Sequence, residues 1–301
     1  MNILHIAEHS PVRGNDDEGA ISDALTQLGH TVTKIEEANA LDINTDMTTS
    51  NDVVLFHQIK GDWPVLYNPA IKRVLWHWDE VTDNTLIDRL LFAQKIDLAL
   101  LTHGPTVDLF SDYTDKIDIL RQGFDQRYKH QYKYPNYYDD IGIFGSAYPS
   151  RESFFEDLNK HYPWDLTSNG IHTKVYGLNG QNYVHQEKLE SLVNTVKIWP
   201  QFDCTLGGPY PPNYWSNRPY LLTGMGAFII HPYCEDLAKE YLEDYEMVFY
   251  KTREELWEKI QFYLDNPEDR ENIRIAGQQK TLRCYKYIDR CKQLIEFIQT
   301  I

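Results

Sequence analysis

The sequence predicts an α/β protein of two doubly wound, Rossmann-like domains facing a central cleft. Three observations lead there. The chain has 301 residues, and a single hydrophobic core tends to divide above roughly 250. Short apolar runs alternate with amphipathic segments, the pattern of a parallel sheet covered by helices on both faces. That alternation stops in a polar, tyrosine-rich stretch from Gln126 to Asp140 and then starts again.

Asn2-Ile3-Leu4-His5-Ile6 predicts the first buried strand, and a polar loop from Glu8 to Asp17 follows it. Ile21, Leu25 and Leu28 recur at helical spacing, with Gly29 as the stop. Thr31–Ile35, Asp52–His57 and Arg73–His77 read as the next strands. A helix over Leu86–Phe92, a strand over Asp97–Thr102 and a short strand over Ile117–Leu120 complete the first half. The linker divides the chain into a domain over residues 1–130 and another over 131–301.

The second domain restarts with a strand over Ile141–Gly145 and a helix over Glu152–His161. Thr173–Gly177, Thr195–Trp199, Ala227–Ile230 and Met247–Tyr250 follow as strands, with a helix over Gln186–Val193. Thr252 and Glu255 have the spacing of a capping box, in which each side chain accepts from the other's backbone N–H. Leu256, Ile260 and Tyr263 face inward from that helix, and Asn266-Pro267 ends it. A last helix carries Tyr287, Cys291, Leu294, Ile295 and Ile298 along one stripe, and is assigned to the second domain.

Composition narrows the function. Lys plus Arg is 29 and Asp plus Glu is 45, so the net charge is 29 − 45 = −16. A surface this acidic repels polyanions, so generic nucleic-acid binding and anionic membranes are disfavoured. Mean hydropathy is −0.53, and no apolar run approaches the roughly 20 residues of a bilayer span. Four cysteines without a CxxC pair argue for a reducing compartment. The first residues lack the basic flank and apolar stretch of a signal peptide, so a cytoplasmic protein is expected. There is no P-loop, no G-x-G-x-x-G after the first strand and no HExxH.

Two segments carry anion-binding chemistry. In Phe144-Gly145-Ser146-Ala147-Tyr148-Pro149-Ser150-Arg151-Glu152 a strand enters a small-residue turn just before a helix. Gly145 permits close backbone approach, the helix start offers N–H groups, and Arg151 adds a forked donor suited to phosphate. The plainer reading is a tight connector with a solvated arginine. In Trp215-Ser216-Asn217-Arg218-Pro219-Tyr220-Leu221-Leu222-Thr223-Gly224-Met225-Gly226, Asn217 and Arg218 sit at a predicted helix start. They are suited to hold a diphosphate by dipole and charge. The plainer reading there is a helix stop made by Gly224 and Gly226.

In the first half, His9, His57, His77, Asp79 and His103 follow predicted strands. Trp76-His77-Trp78-Asp79-Glu80 is the densest cluster, and His77 with Asp79 are the candidate catalytic pair, as acid–base groups near an acceptor hydroxyl. Its plainer reading is a packed strand end with tryptophans in the core. Asp139-Asp140 reads as a solvated pair rather than a metal site.

The second half resembles the glycosyltransferase domain of the CgeB-like family, which has the GT-B fold. The resemblance rests on Ile141–Arg151, on Asn217–Phe228, and on Glu254-Glu255-Leu256…Tyr263-Leu264…Asn266-Pro267-Glu268…Arg270…Arg274…Gly277, with Tyr285…Arg290 after it. It covers roughly residues 138–301, and only the topology is alike before that. It implies a hexosyl- or pentosyltransferase whose second domain holds a nucleoside-diphosphate sugar, a UDP-sugar first, and whose first domain holds the acceptor. Gly145, Ser146, Arg151, Asn217 and Arg218 would then bind the donor diphosphate. Arg13 and Gly14 would form a loop reaching the donor, as in similar enzymes. The resemblance implies no cofactor and no metal. The acceptor is open: a glycan, a small molecule or a modified base.

One departure stands out. Many relatives carry a ribose-binding glutamate just after the aromatic, where this chain has Leu221. That departure raises an alternative, a catalytically silent relative acting as a nucleotide- or glycan-binding scaffold. A narrower variant of the enzyme reading is glycosylation of modified DNA bases.

Overall fold

The computed structural model describes residues 1–301 except 10–15, 44–46, 48–49, 59–62, 79–94, 103–106, 109, 112–113, 115, 129–135, 146–148, 164–172, 177–185, 206–207 and 210–212. The chain forms two compact units. One is Met1–Asp125 together with Lys286–Ile301, and the other is Gln126–Tyr285.

The first unit holds a six-stranded parallel sheet. Its strands are β1 (Asn2–Ala7), β2 (Thr31–Glu36), β3 (Val53–Phe56), β4 (Lys72–His77), β5 (Leu98–Leu101) and β6 (Ile117–Ile119). They lie in the order β2-β1-β3-β4-β5-β6. Because side chains alternate along a strand, the continuous apolar runs feed two cores. Leu4, Val54, Phe56, Leu75 and Leu101 serve one face, and Ile3, Val53, Leu55, Trp76 and Leu100 the other. The second face is covered by α1 (Asp17–Gln27). Asp16 Oδ1 caps this helix by accepting from the Gly19 N–H at 2.8 Å. Gly29, at φ +88°, turns the chain out of it.

The last helix departs from the expectation. α8 (Tyr287–Ile298) packs against α1 and not in the second unit. Tyr287, Cys291, Leu294 and Ile298 are buried in the same cluster as Ile3, Ala20, Ile21 and Trp76. The Tyr287 N–H donates to the Phe124 carbonyl at 3.0 Å. The α1 side of the first sheet has a long apolar strip that one 11-residue helix cannot cover, and the stripe of α8 completes it. The second domain therefore ends at Tyr285 and does not run to 301.

The second unit holds a five-stranded parallel sheet. Its strands are β7 (Asp139–Phe144), β8 (Thr173–Tyr176), β9 (Val196–Pro200), β12 (Ile229–Pro232) and β13 (Val248–Tyr250). They lie in the order β13-β12-β9-β7-β8. A short ribbon, β10 (Cys204–Thr205) with β11 (Gly208–Pro209), stands beside it. The helices are α2 (Glu152–His161), α3 (Gln186–Val193), α4 (Arg218–Gly224), α5 (Glu235–Glu240), α6 (Arg253–Asp265) and α7 (Pro267–Cys284).

The cap of α6 forms in part. Thr252 Oγ1 accepts from the Glu255 N–H at 3.2 Å, but the Glu255 carboxylate accepts from Lys251 N at 2.7 Å, one residue earlier than a capping box requires. α7 lies against α4. Thr281 Oγ1 is 2.8 Å from Thr223 Oγ1 and 2.7 Å from the Tyr241 hydroxyl, all buried. Arg274 and Gln278 donate to the Gly226 and Gly224 carbonyls, each at 3.2 Å. A fully satisfied polar network of this kind fixes one orientation of the short helix.

If α8 belongs to the first unit, Leu294→Ala should remove about 2–5 kcal/mol from that unit's unfolding free energy. Urea unfolding followed by hydrogen exchange should show lost protection in β1, β3 and α1. Lost protection confined to β7, β9 and β12 would contradict the assignment.

Candidate active site

In the second unit, β8 lies on one side of β7 and β9 on the other. This is the strand order at which a doubly wound sheet opens a crevice beyond its carboxyl ends. Gly145 leaves β7 and Phe202 follows β9, so both sit at that opening. Gly145 has φ +149°, a conformation that disfavours any side chain. A Cβ there would lie 3.0 Å from the Phe202 ring, 3.3 Å from Arg151 Nη1 and 3.6 Å from Arg218 Nη1. Two guanidinium groups thus converge where residue 145 has no side chain.

The sequence builds this locally. After Gly145 the chain makes a single 3-10 turn, Pro149–Arg151, before α2 begins. The turn buries Arg151, whose guanidinium lies over the Phe202 ring at 4.2 Å. Arg151 also hydrogen-bonds the Cys204 sulfur. Arg218 opens α4 and lies 5.3 Å from the same ring. Its Nη1 is buried without a hydrogen-bond partner, and it forms no ion pair among the described residues. His231, within reach of the Arg218 charge, is buried near the end of β12 and its Nδ1–H donates to the Pro232 carbonyl at 2.7 Å. Burial first, and then the Arg218 charge, lower this histidine to about 4. A cation without an ion-pair partner among the described residues, close to a neutral histidine, is an environment that favours an anion.

The first unit has the same opening between β1 and β3, but histidines furnish it. His57 Nδ1 donates to the Trp76 carbonyl at 2.9 Å, which leaves Nε2 as an acceptor. His5 Nε2 lies 2.8 Å from it and so donates, and His5 Nδ1 accepts from the Ser22 hydroxyl at 2.7 Å. His9 Nε2 donates to the His5 carbonyl at 3.2 Å. His77 is buried, with Nδ1 donating to the His57 carbonyl at 3.1 Å. Burial holds His5 well below its ordinary range and takes His57 down to about 3, so both rings are neutral.

Of the residues expected from sequence, Gly145, Arg151 and Arg218 come together. Asn217 is the residue before α4 and makes no side-chain capping bond. α4 itself has only seven residues, so the anion-binding geometry rests on the arginines more than on a helix dipole. Ser146, Asp79, Arg13, Gly14, His103 and the helix expected over Leu86–Phe92 lie outside the described residues. Trp76 is a core residue, its Nε1 donating to the Leu120 carbonyl at 2.9 Å, as the plainer reading of that cluster expects. Leu221 is 4% exposed and packs inside the unit. Glu235 and Asp236 are engaged with Lys239 at 3.1 and 2.9 Å. Sequence reasoning missed Phe202, His231 and His5. A histidine closing the apolar run of β12 was the one visible signal.

Two parallel, doubly wound sheets are the architecture of the GT-B fold. Residues 143–296, about half of the chain, match the family described as glycosyl transferase-like, and the chain belongs to that family. Solved structures share the fold. HepE from Anabaena in complex with UDP-glucose is 11% identical, with TM-score 0.69 and 100% of each chain covered. An alpha-glucosyltransferase in complex with UDP and a 13-mer DNA containing an HMU base is 9% identical, with TM-score 0.72 and 99% of each chain covered. Sucrose-phosphate synthase from Thermosynechococcus elongatus is 9% identical, with TM-score 0.62, covering 100% of this chain and 98% of that one. No curated protein matches the sequence. Among the described residues, no helix is long and apolar enough to cross a membrane, and no group of three His, Cys, Asp or Glu is arranged to hold a metal ion.

The buried histidines set a pH dependence. His57 binds its proton near 6.5 when unfolded and near 3 when folded. Its contribution is therefore complete above about pH 6.5 and is lost as pH falls toward 3. Between pH 6.5 and 5 the loss should be about 2 kcal/mol. Urea midpoints of the parent and of His57→Gln across this range should show a shallower slope in the variant. Equal slopes would mean that His57 is not held neutral.

Proposed function

We propose that this protein transfers a sugar from a nucleoside-diphosphate donor, a UDP-sugar first, to a hydroxyl acceptor. The single observation that supports it best is the convergence of Arg151 and Arg218 on Gly145 and Phe202. A diphosphate leaving group gains negative charge as its bond to the sugar breaks. Two preorganised guanidiniums stabilise that charge and need no reorganisation during the step. We read Ser146 and Asn217 as further diphosphate contacts, and Arg13-Gly14 as the loop that approaches the donor. The arginines supply the positive charge, so the transfer is proposed as metal-independent and free of cofactors.

UDP is the first choice because the HepE structure holds UDP-glucose and the alpha-glucosyltransferase holds UDP. Leu221 supplies no carboxylate to a ribose, which sets this chain apart from CgeB-like relatives on that contact. On the acceptor side His77 and Asp79 are the proposed pair, with a hydroxyl proton going to one of them. The alpha-glucosyltransferase structure contains DNA with a modified base, but the net charge of −16 weighs against that acceptor here. The four cysteines are free thiols, and a cytoplasmic setting is part of the proposal.

A calorimetric titration with UDP, GDP, ADP, TDP and CDP tests the reading. One nucleotide, UDP first, should bind, and Arg218→Ala should weaken it by about 1.5–3 kcal/mol, roughly 10- to 150-fold. Binding without turnover of any UDP-sugar, including hydrolysis to free sugar, would point to the silent relative. Affinity unchanged in Arg218→Ala would overturn the assignment of the site.

A further inference from the structure

A second cavity lies on the second unit and shares no residue with the arginine site. It has a volume of about 710 Å³ and is lined by the turn after α5, by α6 and by α7. That volume falls in the range of small-molecule sites, about 300–1,000 Å³. Tyr245, Phe262 and Tyr263 supply aromatic walls, and Asp244 and Asp269 supply carboxylates. No Lys or Arg is among the described residues that line it. Neither carboxylate forms an ion pair among the described residues.

The walls are preset. Asp244 occupies the left-handed region at φ +56°, and its N–H donates to the Met247 carbonyl at 2.9 Å. The Asp244 carboxylate takes a hydrogen bond from the Tyr263 hydroxyl, and burial with the two nearby carboxylates pushes that phenol up. Tyr263 is braced by the tilted ring of Phe228 at 4.8 Å and, edge to face, by Phe262 at 5.0 Å. Gly277 of α7 meets the turn so closely that a Cβ would lie 2.2 Å from the Glu246 carbonyl oxygen. The turn and α7 therefore cannot slide past each other. Tyr245 is 61% exposed and Phe262 49%, leaving rings accessible at the mouth.

We infer that this cavity binds a small organic ammonium ion, held by cation–π contact with Tyr245 and Phe262 and by the charges of Asp244 and Asp269. Aromatic faces attract cations electrostatically, and two carboxylates without a cationic partner raise that attraction. An apolar frame on the cation fits against Ile273, Ile275 and Ala276. An anionic ligand, such as the donor proposed above, is repelled here.

Choline and its uncharged tert-butyl isostere, titrated into the full-length chain and followed by amide chemical shifts, test the inference. Choline should give saturable shifts in the turn around Asp244 and in α6 and α7, with the isostere about tenfold weaker or more. Asp244→Asn, whose amide side chain still tolerates the left-handed turn, and Tyr245→Ala should each weaken choline about fivefold. Both should keep the parent melting temperature. No saturation by choline in the millimolar range, equal binding of the isostere, or no effect of either variant would overturn it. Saturation by an oligolysine peptide and none by choline would also overturn it, in favour of a protein partner.

Discussion

Two positive charges share the space that a side chain at residue 145 would fill, and the second unit is built around keeping them there. Like charges repel, and partial burial removes the water that would screen them. The Phe202 ring lies against both guanidiniums at 4.2 and 5.3 Å and offsets part of that cost. Each arginine is then fixed by its own element. Arg151 is carried by the 3-10 turn that leads into α2. Arg218 is carried by α4, which the Thr223–Thr281–Tyr241 network ties to α7. Helices distant in sequence thus hold a site that would otherwise relax by spreading the arginines apart.

The first unit repeats the strand order and fills the equivalent opening with neutral polar groups in place of cations. Ser22, His5, His57 and the Trp76 carbonyl form one directed hydrogen-bond chain that leaves no net charge. A neutral polar crevice suits an uncharged hydroxyl compound, and a cationic one suits a diphosphate. On the proposed function this division of labour follows from two sheets of one topology carrying different side chains at the same position. The α1 and α8 helices make it durable, since both lie behind β1 and β3.

Much of this was legible in the sequence. The runs that became β3 (Val-Val-Leu-Phe) and β5 (Leu-Ala-Leu-Leu) are apolar throughout, and β1, β4, β9 and β12 carry shorter apolar stretches, a pattern that suits strands buried on both faces. Gly145, Arg151 and Arg218 were visible because strand, turn and helix follow each other along the chain. Phe202 was not, because its role depends on β9 lying beside β7, a neighbour relation no local spacing encodes. The stripe on α8 announced a buried helix and was silent on which sheet it would bury, so proximity in sequence assigned it wrongly. The Glu255 carboxylate found Lys251 N in place of Thr252 N, a difference of one residue that side-chain reach decides.

The measurement that bears most directly on the central claim is the unfolding free energy of Arg218→Met in the absence of any ligand. Methionine keeps the stem of the side chain and removes the charge. If the paired guanidiniums are held against their own repulsion to receive an anion, the variant should be as stable as the parent or more so, and the gain should shrink at high salt. A loss of about 2 kcal/mol at every salt concentration would contradict the account, because it would make Arg218 a strut of the fold and not a waiting charge.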